Sequence, residues 1–384
     1  MTISMLLVAS VPDWIGTARF PKALHDAGFS VTLLAPPNAL AVKSRYVDRA
    51  VFFLPKLSIY DWVYRLADVA RTAAPRVLVP CDDLTARLLH SIVVAAPADL
   101  KASVRVELGA LIRESLGDPA FYESSVDKLR LPPIAASLGV RVIPWAPALD
   151  FSDVTSFVAS HGYPIVLKAP AGAGGAGVAI CREPLQAASS FDRLRRHREE
   201  DIPDASRAVV VQEYIPGETI GRPAVGWNGR ELAGITREFV VKNPPETGPG
   251  SVVRFYCEPE ARFFSDMLVR GLGMRGFFAA QFIVHARTRD IYLLEISRRV
   301  TPGHHSGALV GVDLCAALYA ALSGAQSNVP PDLPPKYERT LSQFPQEWFR
   351  DPDSPFLTAY PIDAPWDDPE LFAAMVAMRK KLLA

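Results

Sequence analysis

Cysteine is scarce and scattered. Cys81, Cys181, Cys257 and Cys315 lie 100, 76 and 58 residues apart. That spacing holds no CxxC pair and no zinc-ribbon pattern, which excludes a disulfide scaffold and a zinc finger. Single thiols of this kind fit a reducing compartment. Charge of one sign is also missing: 41 Lys+Arg balance 41 Asp+Glu, for a formal net charge of zero. No excess points to a nucleic-acid or anionic-membrane partner. No apolar run approaches the ~18 residues that span a bilayer. The opening MTISMLLVAS lacks the basic flank and the length of a secretory leader. The expected setting is therefore cytoplasmic. There is no internal repeat and no GxxxxGK[ST] phosphate loop.

What is present is ordinary globular material. The chain has 384 residues, 49% hydrophobic and 21% charged, enough for two or three domains. The first ~100 residues alternate strand and helix patterns, the mark of a parallel α/β sheet. Pro80 ends the strand RVLVP and leaves Asp82 and Asp83 at its carboxyl end, where ligands of open α/β sheets bind. They either line a site or cap the following helix LTARLLHSIV. Residues 104–139 read as mostly helical. Beyond them, short strands (YPIVLKAP, VAICR, RAVVVQEYI, RPAVGWN, RELAGITREFVV, FFAAQFIVHA and DIYLLEIS) give a β-rich region. The 34 prolines crowd residues 329–366, which suggests an extended segment wrapped on a surface. In the closing helix Asp368 suits the N-cap and Pro369 the first turn.

Gly172, Gly174 and Gly177 match G-x-G-x-x-G by letter. A dinucleotide site needs a helix directly after the glycines, and VAIC is β-branched and apolar. The spacing predicts a strand–loop–strand hairpin whose glycines let backbone N–H groups approach phosphates. Lys168 precedes this loop. An ammonium on an apolar strand is costly unless it finds an anion or lies on a solvated face.

Several segments taken together resemble the ATP-grasp superfamily, in its carboxylate–amine ligase and carbamoyl-phosphate-synthase-like branch. DKLRLPPIAASLGVRVIP looks like its Asp-Lys, helix, Gly-Val passage. YPIVLKAPAGAGGAGV looks like its lysine strand and glycine loop. VVVQEYIPGE resembles its adenine-holding hinge, and FFAAQFIV with YLLEISRRV its metal-binding strand pair. The resemblance covers roughly residues 1–320. It implies a Rossmann-like α/β domain over 1–105, followed by a two-subdomain α+β clamp. The first part would span 106–215, with the glycine-loop subdomain, and the metal-binding subdomain 216–325. Residues 326–384 would be a proline-rich tail and terminal helix.

The implied activity is an ADP-forming ligase that phosphorylates a carboxylate and joins it to an amine, using ATP and one or two Mg²⁺. An ATP-grasp kinase or a weakened nucleotide-binding module are the rivals. The partners would be small-molecule carboxylate and amine substrates, with the oligomeric state open and a homodimer included. Lys128 and Lys168 would hold phosphates beneath Gly172, Gly174, Gly175 and Gly177. Glu213, Tyr214 and Ile215 would meet adenine and Glu218 the ribose. Gln281, Glu295 and Ser297 would supply oxygen ligands to the metal. Ser297 stands where the family has Asn, which puts the second metal site in question. Arg299, and Arg298 in place of a proline, would neutralise the transferring phosphoryl group. Arg254, His304 and His305 are candidates for substrate contact.

Overall fold

The computed structural model describes residues 2–54, 57–95, 100–169, 177–196 and 208–383, the last four of these by backbone alone. It contains three sheets. The first is parallel, in the order β3-β2-β1-β4, from β1 (Ile3–Val8), β2 (Phe29–Ala35), β3 (Arg49–Phe52) and β4 (Val77–Pro80). Its central strands are apolar throughout because both faces are covered. Met5, Leu7, Val31, Leu33, Val77 and Val79 enter one core, and Leu6, Val8, Leu34 and Leu78 enter another.

The helix Asp83–Val94 begins where Asp82 Oδ1 accepts from the Thr85 amide at 2.8 Å. Asp82 Oδ2 accepts from the amides of Ser10, at 2.6 Å, and Val11, at 3.1 Å. The capping alternative therefore holds for Asp82, which also ties β1's end to this helix. The helix Ala102–Leu116 packs through Val104, Leu108 and Ile112 into the first domain's core. The expected boundary at 105 thus cuts a helix that belongs to the first layer.

The second sheet is small, in the order β5-β8-β6-β7, from β5 (Trp145–Ala148), β6 (Ile165–Lys168), β7 (Val178–Cys181) and β8 (Val209–Glu213). β6 and β7 pair antiparallel, with Lys168 opposite Val178. The segment after Gly177 is a strand, as its β-branched residues predict. The helices Phe151–His161 and Pro184–Arg196 cover the face carrying Ile165, Leu167, Val209 and Val211. The opposite face carries Val166, Lys168, Val210 and Gln212, and Leu131 and Pro132 of the helix Leu131–Ser137 stand beside it.

The third sheet takes β9 (Gly217–Trp227), β10 (Arg230–Gly234), β11 (Thr236–Lys242), β12 (Gly250–Tyr256), β13 (Gly276–His285), β14 (Ile291–Ser297) and β15 (Glu338–Ser342). Its order is β14-β13-β9-β11-β12-β15, with β10 on β9. One face packs on the first domain through Val225, Phe255 and Phe277. The other buries Ile220, Ala280, Phe282 and Val284 against the helix Pro259–Gly271.

The proline-rich segment differs from its expected surface course: residues 338–342 pair with β12 and become an edge strand of the large sheet. The closing helix Pro369–Leu383 buries Leu371 and Met375 against Ala18, Leu40 and Phe344. Asp368 holds Ser44 Oγ at 2.7 Å and so fastens this helix to the first domain. No helix of the described residues is long and apolar enough to cross a membrane.

Candidate functional site

β13 and β14 are antiparallel and place Gln281 directly opposite Glu295, and Ala279 opposite Ser297. Directly paired residues share a face, as do residues two apart on one strand. Gln281, Glu295 and Ser297 therefore project to the same side. A register shift follows Gln281, because Phe282 pairs with Leu293 and leaves Leu294 unpaired. Bulges of this kind re-aim a side chain next to a site. Among the described residues no three His, Cys, Asp or Glu side chains gather to hold a metal. Here one carboxylate stands with an amide and a hydroxyl, all hard oxygen donors that suit Mg²⁺.

This face of the small sheet looks toward β14. A narrow cleft there is lined by Lys168, Val210 and Gln212 of the small sheet, by Lys128, Leu131, Pro132 and Val142 of the segment that leads into it, and by Leu293 and Leu294 of β14. Lys168 keeps a little solvent contact at the cleft yet is surrounded by protein. Burial lowers its pKa to about 8, offset by attraction to Glu295 and reinforced by repulsion from Lys128. Lys128 Nζ donates to the Ala169 carbonyl at 3.4 Å. Lys168 thus carries an ammonium that burial disfavours and that an anion in the cleft would favour.

Glu213 ends β8, and its amide donates to Pro144 O at 2.9 Å. Tyr214 and Ile215 link the small sheet to the large one, and Ile215 is buried. Gly177 closes the β6–β7 turn by accepting from the Ala169 amide at 2.7 Å. Gly172, Gly174 and Gly175 lie outside the described residues.

Arg299 reaches back to the first domain. Its Nε and Nη2 meet Asp83 Oδ1 and Oδ2 at 3.1 and 3.0 Å, and its guanidinium lies 4.7 Å from the Trp14 ring centroid. Of the adjacent acids Asp82 and Asp83, the second is thus the one that meets a candidate site residue. Arg298 goes the other way. It is buried, donates to Leu116 O and to Ser125 Oγ, and lies over the Tyr122 ring. Burial lowers its pKa to about 10. β14 ends at Ser297, and the two side chains part beyond it: Arg299 turns to Asp83 and Trp14 of the first domain, whereas Arg298 pins the helical layer.

Three substrate candidates and one ribose candidate are corrected here. Arg254 sits opposite Glu238, which pairs with Ile220 on the face away from Gln281. There it binds Glu238 at 2.9 Å and Glu338 at 3.3 Å. Glu218 pairs with Val284 on that same far face and lies 3.5 Å from Arg289. His304 is 1% exposed. Its Nδ1 accepts from the Thr301 amide at 2.9 Å and its Nε2 lies 2.9 Å from Phe278 O. Burial lowers its pKa to about 3, so the ring is neutral and donates through Nε2. His305 donates to Asp363 at 3.1 Å and is lowered to about 4, chiefly by burial. Both imidazoles brace the turn after β14.

Sequence reasoning missed Gln212, Trp14 and Arg237. Gln212 carries the same signal as Lys168, a polar side chain in an apolar strand. Trp14 carries none, because only the fold brings its loop to Arg299. Arg237 lies opposite Gly221, which lies opposite Gln281, so it shares the site's face two strands away.

The family model of the carbamoyl-phosphate synthase L chain ATP-binding domain matches residues 127–216. That stretch runs from Lys128 through Lys168 to the 213–215 link. Pyruvate carboxylase of Aspergillus niger is 26% identical over 221 residues, 54% of this chain and 18% of the relative. The carbamoyl phosphate synthase large chain of Sulfurisphaera tokodaii is 20% identical over 185 residues, 47% of this chain and 17% of that one. The chain thus spans under a fifth of these relatives' length.

Among solved structures, the biotin carboxylase–β-γ-ATP complex from Campylobacter jejuni has a TM-score of 0.66 at 16% identity, covering 88% of this chain and 75% of that one. N5-carboxyaminoimidazole synthetase from Staphylococcus aureus, complexed with ADP, has a TM-score of 0.64 at 15% identity, covering 88% and 82%. The biotin carboxylase domain of Hydrogenobacter thermophilus 2-oxoglutarate carboxylase, solved with MgADP and bicarbonate, scores 0.64 at 19% identity, over 85% and 71%.

Proposed function

The chain has the ATP-grasp fold, and on that premise we propose that it is an ATP-dependent, ADP-forming ligase that activates a carboxylate and joins it to an amine. The observation that carries this reading is one surface. Glu295 and Gln281 are paired on it, Lys168 and Lys128 bear on it from across the cleft, and Arg299 leaves its end.

Lys168 and Lys128 bind the ATP phosphates as point charges. The glycine segment and residues 213–215 hold the rest of the nucleotide. Gln281, Glu295 and Ser297 would hold Mg²⁺, which supplies charge neutralisation at the phosphoryl oxygens. The donor set fits that ion because every donor is oxygen and one is anionic.

A carboxylate is a poor acyl donor, since its leaving group would be oxide. Attack of its oxygen on the γ-phosphorus breaks the bond to the bridging oxygen and releases ADP, leaving an acyl phosphate. The amine then adds to the acyl carbon, loses a proton and expels phosphate. Arg299 offers two parallel donors that stay charged, where negative charge spreads over the phosphoryl oxygens. Asp83 keeps that fork oriented and off the solvent until substrate arrives.

The test is ADP release that requires a carboxylate, with hydroxylamine trapping the acyl phosphate as a hydroxamate. ADP release in proportion to carboxylate without any hydroxamate would replace the ligase by a kinase. No nucleotide-dependent change at all would leave a binding module.

A further inference from the structure

A second concentration of positive charge lies on the same sheet face, beside the turn that follows Arg299. Arg237 projects from β11 on the side of Gln281, and Arg19 enters from the first domain. Both are 6% exposed. Asp363 is the acidic group that bears on both. Its carboxylate is already in use: it meets Arg19 Nη1 at 2.8 Å, His305 Nε2 at 3.1 Å and the Phe344 amide at 2.6 Å. Against the opposing cost of burial, these contacts, Arg19 first, hold its carboxyl pKa well below the usual carboxylate range.

Among the described residues Arg237 has no ion pair, and its guanidinium lies 5.4 Å from the Phe239 ring centroid. With the Gln343 amide oriented to satisfy its neighbours, its oxygen accepts from Arg237 Nη1 at 2.9 Å and its nitrogen donates to Gly250 O at 2.8 Å. Arg237 Nε, Arg19 Nε and Arg19 Nη2 are buried with no hydrogen-bond partner among the described residues. His304 and His305 are neutral and add no further positive charge. Arg298 is also buried without an ion pair, but its guanidinium donates to Leu116 O and Ser125 Oγ, whereas the unmet N–H groups here each cost roughly 1–3 kcal/mol. The fold therefore holds two arginines against one spent carboxylate. Gly303 keeps the covering turn close, since a Cβ there would stand 2.6 Å from Arg237 Cζ. His304 feels both Arg237 and Arg299, so this charge and the candidate phosphoryl-transfer arginine serve one neighbourhood.

We infer that Arg237 and Arg19 form a subsite for a second oxyanion on the substrate, so that the molecule activated beside Arg299 carries another anionic group. This rests on the ligase reading for its purpose, though not for its chemistry. The shared chemistry is an oxyanion, and a phosphate ester and a second carboxylate are its two sources.

The test uses the full chain with inorganic phosphate and with malonate as probes, at ionic strength held constant with KCl. Binding is read by calorimetry and by thermal unfolding. Phosphate that merely enters the nucleotide cleft is separated by Lys168→Met, which spares Arg237. Wild type and Lys168→Met are expected to be stabilised saturably by one or both probes, and Arg237→Met to bind at least 10-fold more weakly. The stronger probe identifies the source. Because Arg237 is an unpaired buried charge, Arg237→Met should unfold at or above the wild-type temperature. Arg237→Lys, which keeps the charge without the fork, should retain weakened binding.

Probe binding unchanged in Arg237→Met overturns the inference. So does an Arg237→Met protein much less stable than wild type, because the charge would then be compensated within the fold. Loss of nucleotide binding with the Arg237-dependent response intact would remove the ligase reading and keep the subsite.

Discussion

The two faces of the large sheet carry similar residues to different ends. On the first-domain face stand Gln281, Glu295, Ser297 and Arg237; Lys168 feels the attraction of Glu295, and Arg237 that of Asp363 without an ion pair among the described residues. On the far face, Arg254 meets Glu238 and Glu338, Glu218 meets Arg289, and buried Arg222 is held by Glu231 at 2.6 Å and Asp332 at 3.1 Å. Each of those charges has its partner at hand. Complete pairing marks a face whose charges serve the fold. Incomplete pairing marks one that waits for charge from outside.

The largest expected effect breaks the first-domain face at its acid. Glu295→Ala should lower carboxylate-dependent ADP release by about 10³-fold, by removing the anionic ligand among the oxygen donors. Turnover within a few-fold of wild type would remove Glu295 from the site. Next, Arg299→Lys should cost about 10²-fold in turnover, ~2.7 kcal/mol of barrier, while the KM for ATP stays within a few-fold. An equal loss in nucleotide affinity would make Arg299 a ground-state contact.

The comparison sharpens with pH. Lys168 in the free protein titrates at about 8, lowered chiefly by burial. Phosphate attraction needs the ammonium, so it is fully present below that pH and lost above it. The KM for ATP, followed from pH 7 to 10, should rise about 10-fold per unit beyond the inflection. A flat profile would show that Lys168 does not hold phosphate.

Smaller effects are expected where partners are complete. Arg298→Met leaves Leu116 O and Ser125 Oγ without their donor. It should cost about 1–3 kcal/mol in urea unfolding and leave turnover per folded molecule unchanged. Loss of turnover at unchanged stability would return Arg298 to the catalytic set. Least of all, Arg254→Ala removes a half-exposed pair. It should cost no more than about 1 kcal/mol and shift kcat/KM less than two-fold.

The parallel first sheet was legible in the sequence because its strands are apolar on both faces, and a strand covered on both sides leaves no alternation to misread. The hairpin after Lys168 was legible because VAIC cannot open the helix that a dinucleotide loop needs. The resemblance to ATP-grasp enzymes was legible because ordered motifs, each weak alone, recur at matching spacing. The tail was misread: proline density says where the chain is extended, and only β12's free edge decides that residues 338–342 pair there.

The candidate site divides in the same way. Local sequence determined which residue types stand two apart on β14, and the period of two then places Glu295 and Ser297 on one side; the opposite courses of Arg298 and Arg299 beyond the strand's end were decided by the fold. It could not assign the face of Arg254 or Glu218, since that depends on register across three strands. It could not show that His304 and His305 are spent on Phe278 and Asp363, since those partners lie 26 and 58 residues away. Nor could it single out Arg237. A surplus of charge is a property of an enclosed volume, and the volume around Arg237 exists only once the first domain, the large sheet and the returning tail are packed together.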